Sequence, residues 1–280
     1  MAEEISKADV LAVKPDCRAG AAAEAQGENV AIGKANNTPA RLFVLALMAG
    51  LQIGFGALFM TYVKADQTLS FAASSLLGGL AFSLGLLCVI VAGSELFTGN
   101  CLMVMGACSK RITWAKTIKN WVIVWIGNFL GSLVLVAVVV GAGFMSMKAG
   151  DNTVGNQMVT VAAGKINLGP MQIFCRGVVC NVLVCLAVWM GFCGRTVIDK
   201  VFTSMMPVIA FVALGGEHCV ANMFFLPMGV VASNSGYGSQ VLTMGGALYN
   251  IGLATVGNIV GGCIFVGLVY WFSYRKKETK

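Results

Sequence analysis

The sequence predicts an all-α membrane protein of six transmembrane helices arranged as an inverted 3+3 repeat, with the second and fifth helices broken. Three observations predict it. Of 280 residues, 58% are hydrophobic and only 11% are charged, against roughly 25% charged in soluble domains. Six apolar stretches each reach the roughly 20 residues that span a bilayer. Polar segments interrupt the second and fifth of these stretches at matching places.

Residues 1–40 read as a polar, partly disordered N-terminal tail that holds six of the 12 acidic residues, Glu3, Glu4, Asp9, Asp16, Glu24 and Glu28. No apolar run followed by a small-residue cleavage site occurs there, so no cleavable signal peptide is expected. A transmembrane domain over 41–275 follows, and 276–280 form a short C-terminal tail. The apolar stretches run at about 42–63, 71–107, 117–141, 171–193, 202–232 and 245–273. Arg41, Lys110, Arg111, Lys116, Lys119, Arg195, Lys200, Arg275, Lys276, Lys277 and Lys280 fall on one side, while Lys64, Lys148 and Lys165 fall on the other. By the positive-inside rule both termini are cytoplasmic, in a multi-pass protein of the plasma membrane. Tyr62, Trp114, Trp271 and Tyr274 stand near span ends as interfacial anchors.

This topology also explains the net charge of +7, because no basic stripe with interleaved aromatics marks a nucleic-acid partner. Cys88, Cys175, Cys180, Cys185 and Cys263 sit inside apolar runs without CxxC spacing and read as reduced, small hydrophobes.

The repeat rests on two ordered matches. Gly93 to Asn100 (GSELFTGN) aligns without a gap to Gly215 to Asn222 (GGEHCVAN), at an offset of 122 residues. Gly127-Asn128-Phe129-Leu130-Gly131 aligns to Gly257-Asn258-Ile259-Val260-Gly261 at an offset of 130. A duplicated unit of three crossings is odd, so its second copy enters the membrane upside down. Gly127 with Gly131, and Gly257 with Gly261, also have the small-xxx-small spacing that lets helix backbones approach closely.

Glu95, Arg176, Glu217 and His218 are ionisable groups placed within the spans, with Lys165 just before the fourth. Each costs on the order of 3 kcal/mol on insertion scales, so each is a candidate functional residue. For Glu95 and Glu217 a structural role is preferred: a buried carboxylate can accept the backbone N–H groups that a broken helix frees. Asn100 and Asn222 are read as caps of the half-helices that follow. His218 is the only histidine, and its counterpart is Leu96, so symmetry does not demand a polar group there. At a broken helix it is assigned a functional role. Thr98 either bonds its own helix backbone or acts functionally, and the residues do not choose.

Each break also starts a half-helix whose exposed N–H groups and positive dipole end point toward the bilayer middle. Such a focus favours a small anion. No P-loop, GxGxxG, HExxH or heme-type histidine pair is present, so neither an enzyme, a metal site nor a cofactor is expected.

The run Gly93 to Asn100, the segment Gly216-Glu217-His218 through Asn222, and Asn181 to Trp189 (NVLVCLAVW) closely resemble the formate/nitrite transporter family, over about 40–275. Lys165, Asn181, Thr98 and His218 fall where family members carry pore residues. The resemblance implies an aquaporin-like protomer, assembled as a homopentamer with one pore per subunit, that passes small monovalent anions. It further implies that Phe82, Leu86 and Phe211 form apolar constrictions and that Leu96, Phe97 and Thr98 form a mobile loop at the cytoplasmic one. Lys165 would draw anions into the outer vestibule, and Asn181 and His218 would line a central chamber. Residues 111–132 and 195–229 look like the formate branch. Ser94 to Gly99 and Arg176 look more like the nitrite and hydrosulfide branches.

A bare anion in an apolar constriction meets a desolvation cost of several kcal/mol. The expected mechanism is that Lys165 and the half-helix ends attract the anion, while His218 hydrogen-bonds to it or gives it a proton. An aquaporin-type pore for neutral solutes is the rival reading. The sequence lacks the paired Asn-Pro-Ala signatures expected of one.

Overall fold

The structure, a computed structural model, describes residues 17–275. The sequence expectations for Glu3, Glu4, Asp9 and Asp16, and for the 276–280 tail, lie outside the described residues. Ten helices follow one another among the described residues: α1 (Ala21–Asn36), α2 (Pro39–Ala65), α3 (Phe71–Ala92), α4 (Phe97–Cys108), α5 (Trp114–Gly141), α6 (Val154–Ile166), α7 (Pro170–Cys193), α8 (Val197–Ala213), α9 (Cys219–Asn234) and α10 (Met244–Tyr274). Two short strands, β1 (Lys148–Ala149) and β2 (Asn152–Thr153), pair antiparallel before α6. Hydroxyl N-caps start most of the helices, with Thr38, Ser70, Thr113, Thr153, Thr196 and Thr243 each accepting a first-turn N–H.

Among the described residues, α2, α3, α5, α7 and α10 are each long and apolar enough to cross a membrane. Two of the six apolar stretches of the sequence, one of them containing α3, are divided. The expected span 71–107 is α3 plus α4, and 202–232 is α8 plus α9. Each division starts at a glycine in the left-handed region, Gly93 at φ +78° and Gly215 at φ +69°, a conformation that a side chain would strain. These glycines are the first residues of the two aligned octets.

The close helix approaches expected from glycine spacing occur as α5 against α2 and α10 against α7. A Cβ on Gly131 would meet the Leu47 carbonyl oxygen, and one on Gly261 would meet that of Val178. Backbone cannot step aside as a side chain can. Gly131→Ala is therefore expected to destabilise by about 1–3 kcal/mol, read as thermal unfolding in detergent. Gly33→Ala, whose Cβ meets nothing within 4 Å, serves as the control and should be neutral or stabilising.

Two elements differ from the sequence expectation. Residues 21–36, grouped with the polar tail, form helix α1, and it packs on the membrane body. Ala23 and Ala31 are buried, the Glu28 carboxylate accepts Arg111 Nη1 at 2.9 Å and bonds Ser109, and Lys116 Nζ reaches Asn36 Oδ1 at 2.9 Å. The charges that looked like tail solubility are contacts. Helix α6 was not anticipated, because at 13 residues it is too short for a bilayer-crossing signal. Cys88, Cys175, Cys180, Cys185 and Cys263 are unbridged thiols, in line with their reading as small hydrophobes.

Candidate functional site: two helix breaks joined by a histidine

Each break is held by one asparagine from a neighbouring long helix. On α5, Asn128 Oδ1 accepts the Phe97 N–H at 2.9 Å, and its Nδ2 donates to the carbonyls of Ala46 at 2.8 Å and Glu95 at 2.9 Å. On α10, Asn258 Oδ1 accepts the Cys219 N–H at 2.9 Å, and its Nδ2 donates to Gly177 at 2.8 Å and Glu217 at 2.9 Å. Both amides are fully buried. Each supplies an acceptor for one N–H and donors for two carbonyls at its break, replacing part of what the missing helical turn removed.

The two carboxylates act differently from expectation. Glu95 Oε2 accepts Lys34 Nζ at 2.9 Å and Asn100 Nδ2 at 2.7 Å, and that amide also reaches Asn120 Oδ1 at 2.8 Å. Glu217 accepts Lys165 Nζ at 2.8 Å, Asn222 Nδ2 at 2.7 Å and Asn250 Nδ2 at 3.0 Å. Their partners are side chains, while Asn128 and Asn258 each accept one of the freed N–H groups. Asn100 and Asn222 are likewise not caps. The half-helices start earlier, with Leu96 and His218 at the N-cap positions, so both asparagines lie one turn inside and turn their amides back to the carboxylates.

His218 joins the halves. Its Nδ1 accepts the Ala221 N–H at 2.9 Å as the N-cap of α9, and its Nε2 lies 2.9 Å from Thr98 Oγ1 in the first turn of α4. An accepting Nδ1 carries no proton, so the neutral ring holds its proton on Nε2 and donates it to the threonine. The starts of α4 and α9 thus meet within one hydrogen bond. Thr98 spends its hydroxyl on this contact rather than on its own helix.

Around this pair the walls are apolar. Phe211 stacks on the imidazole with centroids 5.9 Å apart, and Phe82 meets Phe211 edge-on at 5.6 Å and stacks with Phe225 at 6.2 Å. Leu86 and Leu96 are buried and border a cavity of about 720 Å³ that residues of α1 also line. Phe97 turns its ring to Trp121 on α5, with centroids 6.4 Å apart. Asn181 on α7 is fully buried and donates to Asn258 O at 2.6 Å and Thr98 O at 3.3 Å, while its Oδ1 has no partner among the described residues. That unused acceptor stands one carbonyl from the threonine.

Lys165, expected as an anion attractor, is ion-paired with Glu217, with its ammonium 5.7 Å from the Phe225 ring centroid. Arg176 is exposed, and its Nη1 reaches Gly215 O at 3.5 Å on the loop between α8 and α9. Five participants were not assigned a site role on sequence: Lys34, Asn120, Asn128, Asn250 and Asn258. The Gly-Asn echo at Asn128 and Asn258 was the available signal, but it was read only as a mark of duplication and close packing.

Apolar helices of crossing length, with two breaks that converge on a buried hydrogen-bonded pair between aromatic walls, define a multi-pass membrane channel. A sequence profile of the formate/nitrite transporter family matches residues 22–272, and the chain belongs to that family. It is 36% identical to the formate channel FocA of Escherichia coli (strain K12) over 265 residues, covering 90% of this chain and 92% of that protein. It is also 36% identical to the formate channel FocA of Haemophilus influenzae, covering 96% of this chain and 97% of that one. A solved pentameric formate channel with formate bound superposes with a TM-score of 0.78 at 37% identity, covering 85% of this chain and 98% of that chain. These relatives are named as channels rather than enzymes.

Proposed function

We propose that this chain is a formate channel that assembles as a homopentamer in the plasma membrane, with both termini cytoplasmic and one passage through each protomer. Nitrite and hydrosulfide are further candidate anions for the same passage. The protomer crosses the membrane six times as an inverted 3+3 repeat, α3 with α4 and α8 with α9 each making one broken crossing. The matching Glu95–Asn100–Asn120 and Glu217–Asn222–Asn250 networks support that duplication. Contact of Arg18 with Gly194 O, of Arg111 with Glu28 and of Gly20 with the Tyr274 ring supports gathering the cation-rich loops and both ends of the described chain on one side.

The observation that carries the function is the buried Thr98–His218 hydrogen bond at the meeting of two half-helix N-termini. A small anion that reaches it finds hydrogen-bond donors and two positive dipole ends where lipid-like walls exclude water. The Nδ1 cap constrains the chemistry. A neutral ring that gave up its Nε2 proton would become an imidazolate. Proton delivery to the anion therefore requires prior uptake at Nδ1 and release of the Ala221 amide. Hydrogen bonding needs neither. Lys165 contributes as a compensated charge held by Glu217, Asn181 offers its spare acceptor to a protonated or hydrated guest, and Leu86, Leu96 and Phe82 narrow the way.

Purified protein in liposomes should pass formate, with nitrite and hydrosulfide run beside it. Large osmotic water permeability without anion conductance would overturn this reading in favour of a neutral-solute pore. Phe82→Leu trims the ring that packs on Phe211 and is expected to raise lactate flux relative to formate flux by about tenfold. An unchanged ratio would remove Phe82 from the passage.

A further inference from the structure

We infer that the cavity beside α1 is a binding site for a multiply charged, nucleotide-sized oxyanion of the organic polyphosphate class, which plugs the passage from that side. The inference deepens the channel reading and rests on it for the plugging alone. About 720 Å³ lies within the range that holds drug-sized ligands and far exceeds the needs of a one-carbon acid. Arg18, Lys34, Arg41, Arg195 and Lys200 line it, against Glu95 as the single carboxylate among the described lining residues. These cations come from separate stretches of the chain, and the side chains of Arg18 and Lys34 are held in place by neighbours. Arg18 Nη1 is held by the carbonyls of Gly194 at 3.1 Å and Phe192 at 3.3 Å, and Lys34 is held at 2.9 Å by Glu95. Lys200 is set in the first turns of α8 by the Thr196–Asp199 capping box.

The positive-inside rule accounts for the number of basic residues at this end. It does not account for their convergence on one cavity, nor for two of them standing where helix dipoles oppose them. Arg41 and Lys200 lie near the N-termini of α2 and α8, the end at which a positive side chain is unfavourable. Among the described residues neither forms an ion pair. An anion between them would relieve both. The contrast with the other end of α2 is direct: there a cavity of about 470 Å³ is lined by Gln67, Asn152, Asn156, Asn167 and Gln240 and by no charged side chain. Buried apolar residues, Leu86 and Leu96 among them, line the charged cavity. A monovalent anion can be helped past such apolar residues, but every added charge raises the desolvation cost, so a polyphosphate would stay as a plug.

The test uses ATP without magnesium, AMP and inorganic phosphate as probes. With the full-length protein in neutral-lipid liposomes of known orientation, ATP on the α1 side should block formate flux, and ATP on the opposite side should not. In detergent, direct binding should rank ATP above AMP above phosphate and weaken at high salt. Arg41→Ala with Lys200→Ala should raise the half-blocking and dissociation constants at least tenfold while leaving unblocked formate flux within twofold. Equal block from both sides, unchanged ATP affinity in the double variant, or no ATP binding would each overturn the site. ATP binding without any formate flux would sustain the site and reject the channel reading instead.

Discussion

Replacing His218 with asparagine is expected to keep a formate conductance but change its dependence on pH. Asparagine is a strong N-cap, so the Ala221 amide keeps an acceptor and α9 keeps its start. Its side-chain amide still offers a donor toward Thr98, but it does not titrate. Formate flux in proteoliposomes, measured from pH 5 to 8, is the readout. His218→Leu removes both the cap and the donor. Loss of a hydrogen bond to a charged guest is worth about 1.5–3 kcal/mol, or roughly 10- to 100-fold in flux. The leucine variant should therefore fall by that factor while the asparagine variant retains most of the conductance. A pH profile identical in parent and His218→Asn would reject protonation of the ring during transport and leave hydrogen bonding as its whole contribution. Full flux in His218→Leu would reject both.

Removing Glu217 should produce the largest loss of stability among the site variants. Its carboxylate is buried, and Lys165 is 15% exposed in its side chain, with no other carboxylate within ion-pair distance among the described residues. Glu217→Ala leaves that ammonium uncompensated and deprives the amides of Asn222 and Asn250 of an acceptor. Breaking a buried pair from one side costs about 3–5 kcal/mol. The double variant Lys165→Met with Glu217→Leu should recover much of the loss, because no charge remains to be buried. Glu95→Ala should cost less, since its partner Lys34 is 23% exposed and borders the open cavity. Thermal unfolding in detergent orders the variants. A Glu217→Ala protein within about 1 kcal/mol of the parent would remove the pair from the framework.

Much of this site was legible in the residues. Gly93 and Gly215 mark both breaks because only a residue without Cβ turns there cheaply. Glu95, Glu217 and His218 stood out because ionisable groups are costly in apolar spans. The partners of several of them were not legible. Asn100 and Asn222 looked like caps because the start of a half-helix cannot be located within four residues from composition, and that shift changes which residue caps. Glu95 and Glu217 were given the backbone N–H groups because Asn128 and Asn258, which lie far away in sequence, are brought to the breaks only by packing of α5 and α10. Lys34 was hidden in a segment that reads as polar tail, since polar positions interrupt α1 throughout and its partner Glu95 lies 61 residues away.

Hydrophobicity and its interruptions are local properties of a chain in lipid, so they determined the apolar helical segments and the two breaks before any contact was known. Which nitrogen of His218 holds the proton, which lysine meets which carboxylate, and where five cations converge depend on side chains that approach from separate helices. Those were decided by the tertiary structure, because a buried polar group takes its state from whichever partner the packing brings within 3 Å.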